Sequence, residues 1–110
     1  MVVILKTDAE AKQGNRVGIY RRNVTINGRR SWKSKSSAIW FNPTSQNWIV
    51  GPREKIGNLY CGISSYDGTN ATNPYDIPSN VWKYYDSEGE VWKNSERGNI
   101  IIQSFQGEIQ

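Results

Sequence analysis

The sequence predicts an all-β fold: a small antiparallel sandwich or a curled barrel-like sheet of about eight short strands, read as one domain over residues 1–110. Three observations lead there. Helix signals are nearly absent, since only Asp8 to Lys12 offers a cap followed by helix formers, and Gly14 ends that run at once. β-prone runs recur every ~8–12 residues between turn residues, the spacing of a sheet, sandwich or barrel rather than of alternating strands and helices. Finally, Asn27-Gly28 separates two such runs, and a type I′ hairpin turn favours this pair because both its central residues need positive φ.

Taken in order, Met1-Val2-Val3-Ile4-Leu5-Lys6 reads as a first strand. It lacks the basic flank and small-residue cleavage site of a signal peptide, and no run approaches the length of a membrane span. Gly18 to Ile26 and Arg29 to Ser34 form the Asn-Gly hairpin. A second hairpin joins Ala38-Ile39-Trp40-Phe41 to Asn47-Trp48-Ile49-Val50-Gly51 across a turn-rich loop, and Pro52 stops it. Asn58 to Ser65 is expected to be a strand, and Tyr66 to Pro74, nearly devoid of apolar residues, a loop. Val81 to Tyr85, a turn at Asp86-Ser87-Glu88-Gly89, Glu90 to Lys93, and Asn99 to Phe105 complete the pattern.

With one cysteine the chain can form no internal disulfide, so a buried core must hold it together, and its five Trp and six Tyr are the obvious material. Cys61, in Leu59-Tyr60-Cys61-Gly62-Ile63, is expected to be a small buried residue and not a reactive thiol. The formal charge is +4, but it is unevenly placed. Lys12, Arg16, Arg21, Arg22, Arg29, Arg30, Lys33, Lys35, Arg53 and Lys55 face a single acid, Glu54, between residues 11 and 55, whereas acids outnumber bases after Tyr60. Either two oppositely charged surfaces lie side by side, or one basic face attracts an anionic partner. The Asn-Gly turn would gather Arg21, Arg22, Arg29, Arg30 and Lys33 into one patch.

Enzymatic chemistry is not expected. The chain has no His, which removes the commonest general base and the Ser-His and Cys-His nucleophile pairs. No zinc or calcium ligand spacing occurs, so no metal or other cofactor is expected, and no phosphate-binding or dinucleotide motif is present. The acidic cluster Asp86, Glu88 and Glu90 falls on a turn and is expected to be solvated.

Gly18-Ile19-Tyr20, Asn27-Gly28-Arg29 with Trp32, Ile39-Trp40-Phe41, Trp48-Ile49-Val50-Gly51, Gly57, Cys61-Gly62-Ile63, Pro78, and Trp82-Lys83 with Trp92 follow one another along nearly the whole chain. In that order they resemble a tryptophan-rich β module found, often in tandem, in multidomain proteins of protists and invertebrates. The resemblance implies a compact binding or spacer domain and transfers no catalytic residue.

Carbohydrate binding is the leading expectation. A sugar offers C–H groups on its face and hydroxyls on its edge, so its site needs an exposed ring bordered by amides, carboxylates or Arg, displayed on loops. Trp32, Trp40 and Trp48 are the candidate stacking rings, with Arg29, Arg30, Asn42 and Asn47 as polar partners. Any single Trp is expected to be core more readily than ligand contact, but not all five are expected to be buried. The glycan partner is neutral or anionic, because a sulfated or phosphorylated sugar suits the basic hairpin. Single-stranded nucleic acid is the alternative, with Tyr20 and Trp32 as stacking rings beside that patch. A third reading is a protein-interaction module or homo-oligomer subunit. The sequons at Asn23 and Asn70 are weak pointers to secretion, and the compartment, secreted or cytoplasmic, stays open.

Overall fold

A computed structural model describes residues 2–6, 14–59, 61–66, 68, 71–78, 81–86, 89–94 and 100–104. These residues form nine strands: β1 (Val2–Lys6), β2 (Gly18–Arg22), β3 (Trp32–Lys33), β4 (Ser37–Asn42), β5 (Asn47–Pro52), β6 (Ile63–Ser65), β7 (Trp82–Asp86), β8 (Val91–Asn94) and β9 (Ile101–Ser104). Three short 3-10 turns, Gly14–Arg16, Arg53–Lys55 and Pro74–Asp76, lie between them, and no α-helix occurs among the described residues. The expected helical turn at Asp8 to Lys12 lies outside the described residues.

All nine strands belong to one antiparallel sheet in the order β8-β7-β6-β5-β4-β3-β2-β1-β9. Of the two predicted architectures the curled sheet is therefore the one adopted. Each strand pairs with its predecessor until β9, which returns to pair with β1 at the opposite edge from β8. Connectivity explains the curl. A flat sheet would hold β8 and β9 eight strand spacings apart, roughly 38 Å, but the chain from Asn94 to Ile101 reaches at most about 25 Å. The sheet must bend until its two edges approach, and it encloses its inner face in doing so. It stays open, because β8 and β9 do not pair.

That inner face holds the main core. Tyr20, Trp32, Ile39, Phe41, Trp48, Val50, Ile63, Ile77, Trp82, Ile100 and Ile102 form one buried cluster drawn from β2 through β7 and from the β9 segment. Strand alternation sets this list: Ile39 faces Val50 and Phe41 faces Trp48 across the β4–β5 ladder. The intervening pair, Trp40 opposite Ile49, points to the other face, and it is buried there too, in a second cluster with Ala38. Ile26, Ile56 and Cys61 pack over that cluster.

The cover on the outer face accounts for a departure from the predicted strands. Asn58 to Ser65 was expected to be extended throughout, yet only Ile63–Ser65 is strand. After Pro52 the chain turns through Arg53–Lys55 and Gly57, which takes φ +89, and crosses back over β4 so that Asn58 O accepts a 3.0 Å hydrogen bond from Trp40 Nε1. An indole buried on a sheet face must find a partner for its N–H, and the turn supplies it.

The Asn27-Gly28 turn forms as predicted, with φ of 54 and 80 and the Ile26–Arg29 bridge closing it. Asn27 Nδ2 also donates 3.0 Å to Phe41 O, which ties the hairpin tip to β4. The β4–β5 hairpin likewise closes over residues 43–46, where Gln46 takes φ 53.

Trp48 is fully buried, touches Trp32 and Phe41, and donates from Nε1 to Ala71 O at 2.8 Å. Trp48→Ala should therefore lower stability by about 3–5 kcal/mol, the range for a buried Trp truncation, measured by urea unfolding. A loss below about 1 kcal/mol would contradict its core position.

Candidate functional site

The inner cluster takes most of the predicted ligand contacts. Trp32 and Trp48 lie 6.0 Å apart in tilted contact, Trp32 meets Tyr75 edge-on at 6.0 Å, and Trp48 meets Phe41 at 5.5 Å. Trp40 is sealed beneath the 53–59 turn on the outer face. With relative exposures of 2%, 0% and 0%, Trp32, Trp48 and Trp40 present no ring to a ligand, and their assignment as stacking residues is corrected. The cause is the two-sided burial of β4 and β5, which leaves neither alternate set of residues in water. Tyr20, the expected partner of Trp32 against nucleic acid, is also fully buried and donates its hydroxyl to Arg16 O at 2.6 Å. Burial raises the Tyr20 pKa, with smaller opposing effects from Ser37, Ser34 and Arg16.

Asn42 and Asn47 are likewise buried. Asn42 Oδ1 accepts from Thr44 N at 3.1 Å within the turn, and Asn47 Nδ2 donates 3.0 Å to Ser65 O on the next strand. Both hold the backbone in place and do not face solvent.

Arg29 and Arg30 do come together at the surface. They line a cleft of about 540 Å³ with Gly28, Thr72 and Asn73. The Arg29 guanidinium lies 3.9 Å above the Phe41 ring and donates 2.8 Å to Ala71 O, so it clamps the 71–78 loop to the hairpin tip. The predicted single basic patch is divided. Arg21 opposes Lys33 across the β2–β3 ladder, away from the turn that carries Arg29 and Arg30.

A different aromatic surface is open. On the outer face, register places Ile49 beside Ser64, Ser64 beside Lys83, and Lys83 beside Asn94, while Tyr85 opposes Trp92. Trp92 and Tyr66 are 40% and 39% exposed. Lys83 Nζ sits between them, 5.6 Å from the Trp92 ring and 5.9 Å from the Tyr66 ring, and Tyr85 meets Trp92 edge-on at 5.7 Å. Three rings and one ammonium thus share the sheet's outer face where β8 forms its edge. Sequence reasoning did not bring Lys83, Tyr85 and Trp92 together as a site, yet a signal existed. Tyr84 and Tyr85 are consecutive on a strand, so alternation sends one of them outward; Tyr84 packs against the inner core.

The acids differ from expectation too. Asp86 ends β7 as a buried residue, and Lys93 Nζ holds its carboxylate at 2.7 Å. Glu90 is exposed, and Glu88 lies outside the described residues. Asn23 of the first sequon is half-buried, and Asn70 also lies outside them. No cluster of His, Cys, Asp and Glu that could hold a metal ion occurs among the described residues, and no described helix is long and apolar enough to cross a membrane.

Comparison with protein-family models, with curated proteins and with solved structures finds no match for the chain.

Cys61 is half-buried against the outer cluster, and burial pushes its thiol up to about 11 from an ordinary 9.0, with Lys83 and Arg16 pulling weakly the other way. The folded state holds the proton more tightly than the unfolded chain, so the contribution to stability is complete below pH 9 and is lost as pH rises from 9 to 11. Alkylation by iodoacetamide should accordingly stay slow through pH 8 to 9 and reach half its maximal rate near pH 11. A midpoint at or below pH 8.5 would contradict the buried environment.

Proposed function

We propose that this chain is a non-enzymatic carbohydrate-binding module, of the tryptophan-rich β kind its sequence resembles, whose ligand lies on the outer-face surface of Tyr66, Lys83, Tyr85 and Trp92. The observation that carries this reading is the half-exposed Trp92 indole, held next to Tyr85 and facing Lys83 at the sheet edge. The other four Trp are buried, so Trp92 is the indole left for contact with a ligand.

The chemistry suits a pyranose. The C–H face of a sugar packs on an aromatic ring, and the ring quadrupole that attracts Lys83 attracts polarised C–H groups in the same way. Lys83 and its register partner Asn94 supply donors, and the Asn94 amide also supplies an acceptor, for hydroxyls at the edge of a stacked ring. Tyr85 and Trp92 stand on hydrogen-bonded strands instead of a loose loop, so little side-chain ordering opposes binding. The Arg29–Arg30–Asn73 cleft has a volume in the range of small-molecule sites, and Asn73 Oδ1 is a buried acceptor with no partner among the described residues. No aromatic ring of the described residues lines that cleft, so it ranks behind the edge surface for a sugar.

An array of neutral glycans, read at low and at physiological salt, tests the reading. Binding that persists at both salts is expected. Trp92→Ala should weaken it by about tenfold or more, as roughly 1.4 kcal/mol of lost stacking implies, without moving the melting temperature by more than a few degrees. Silence across the neutral array, or binding indifferent to Trp92→Ala, would overturn the assignment.

A further inference from the structure

The outer face carries a second feature, on the other side of β4 and β5 from Trp92. Arg21 on β2 and Lys33 on β3 are direct cross-strand partners, and Lys33 in turn opposes the small Ala38. Lys35 rides on the bend between β3 and β4. Ser34 fixes that bend: its N–H donates to Ser37 O at 2.8 Å and its Oγ accepts from Ser37 N at 3.1 Å. Arg53 follows β5, and its N–H donates 3.0 Å to Ser36 O, which staples the turn after Pro52 to the same bend. Three separate parts of the chain thereby deliver four cations to one concavity of about 240 Å³, lined by Ile19, Arg21, Lys33, Ser34, Lys35 and Arg53.

Among the described residues nothing in the concavity balances this charge. No carboxylate lines it, and none of the four cations is paired with an acid among the described residues. Like charges directly opposed across an antiparallel ladder are destabilising, and here two more are held beside them by backbone hydrogen bonds. A bound anion removes that repulsion. The planar donors of Arg21 and Arg53 suit two oxygens of a tetrahedral oxyanion, and Lys33 and Lys35 act as point charges beside it. The volume is below that of pockets enclosing a whole drug-sized ligand and suits a single anionic group.

We propose that this concavity is a tetrahedral-oxyanion site that takes the sulfate group of an anionic glycan. Assigning the group to a glycan rests on the carbohydrate reading above, whereas the oxyanion preference stands on the concavity alone. A nucleic-acid strand fits less well. No ring of the described residues lines the concavity for a base to stack on, and the basic groups form one corner instead of a track along the sheet. A long polyanion would also meet a chain segment, residues 60–110, in which acids outnumber bases.

Amide NMR spectra of the intact chain, titrated with sodium sulfate and with sodium chloride at matched ionic strength, test the oxyanion site directly. Sulfate should move the amides of Arg21, Ser34, Lys35 and Arg53 together with one saturating curve, and chloride should not. A heparin-derived hexasaccharide should move the same amides, and its desulfated counterpart should leave them in place. The Arg21→Gln/Lys33→Gln double variant should lose about tenfold or more in hexasaccharide affinity, while Arg22→Gln/Arg30→Gln, which removes the same charge elsewhere, should lose clearly less. Equal losses in the two variants, or equal responses to sulfate and chloride, would overturn the site. If a twelve-residue oligothymidylate binds more tightly than the hexasaccharide through these amides, the glycan assignment is overturned in favour of single-stranded nucleic acid. Trp92→Ala should leave the sulfate-induced shifts intact, so failure of the edge surface and failure of this site give different results.

Discussion

The β4–β5 hairpin carries large apolar side chains on both of its faces, and with no helix among the described elements each face has to be covered by strand or turn. The inner face is covered by the sheet itself, which curls until Ile100 and Ile102 join the cluster around Trp48 and Trp82. The outer face is covered by the chain that leaves β5, which crosses Trp40 and accepts its indole proton at Asn58 O. Other features follow from this arrangement. The strand predicted over residues 58–65 is shortened because its first half is spent on that crossing. Cys61 is desolvated because it arrives at the edge of the cover. Asn42 and Asn47 are drawn inside because they terminate a hairpin that has no wet side.

The same constraint decides where a ligand can bind. Rings near the middle of the sheet are committed to packing, and the outer face becomes accessible only beyond the reach of the 53–59 cover. On one side of that cover lie Lys83, Tyr85 and Trp92, where the edge strand β8 is exposed along its whole length. On the other lie Arg21, Lys33, Lys35 and Arg53. The turn after Pro52 serves both purposes: it buries Trp40, and it carries Arg53 to the basic concavity. The face therefore presents an aromatic surface and a cationic one, separated by a buried ridge, which is the pairing an anionic sugar chain would use.

The fold was legible because its signals are local. Asn27-Gly28 takes the two positive φ values that its sequence demands, and Pro52 and the residue 43–46 turn bound a hairpin whose strands agree with prediction to within one residue at each end. The site was not legible in the same way. Whether Trp40 is wet or dry depends on a turn eighteen residues further along, and neither hydropathy nor spacing carries that information. Trp32, Trp40 and Trp48 stand on the successive strands β3, β4 and β5, but position on a strand says nothing about what covers it. Arg29 and Arg30 were placed together correctly, because a two-residue turn fixes their neighbourhood. The wider basic patch divided, because Arg29 and Arg30 sit at the hairpin tip against the 71–78 loop, whereas Arg21 and Lys33 lie further along the ladder, where Arg53 joins them from a segment distant in sequence.

Hydrogen exchange at the five indole N–H groups, followed in ¹⁵N-resolved spectra, tests the division between covered and open rings most directly. Trp40 and Trp48, whose Nε1 protons are donated to Asn58 O and Ala71 O, should exchange only through opening of the fold and remain visible long after transfer to D₂O. The half-exposed Trp92 should vanish within the dead time. Rapid exchange of Trp40 or Trp48 alongside Trp92 would contradict the two-sided burial of the β4–β5 hairpin, and with it the placing of the proposed binding surface at the edge of the sheet.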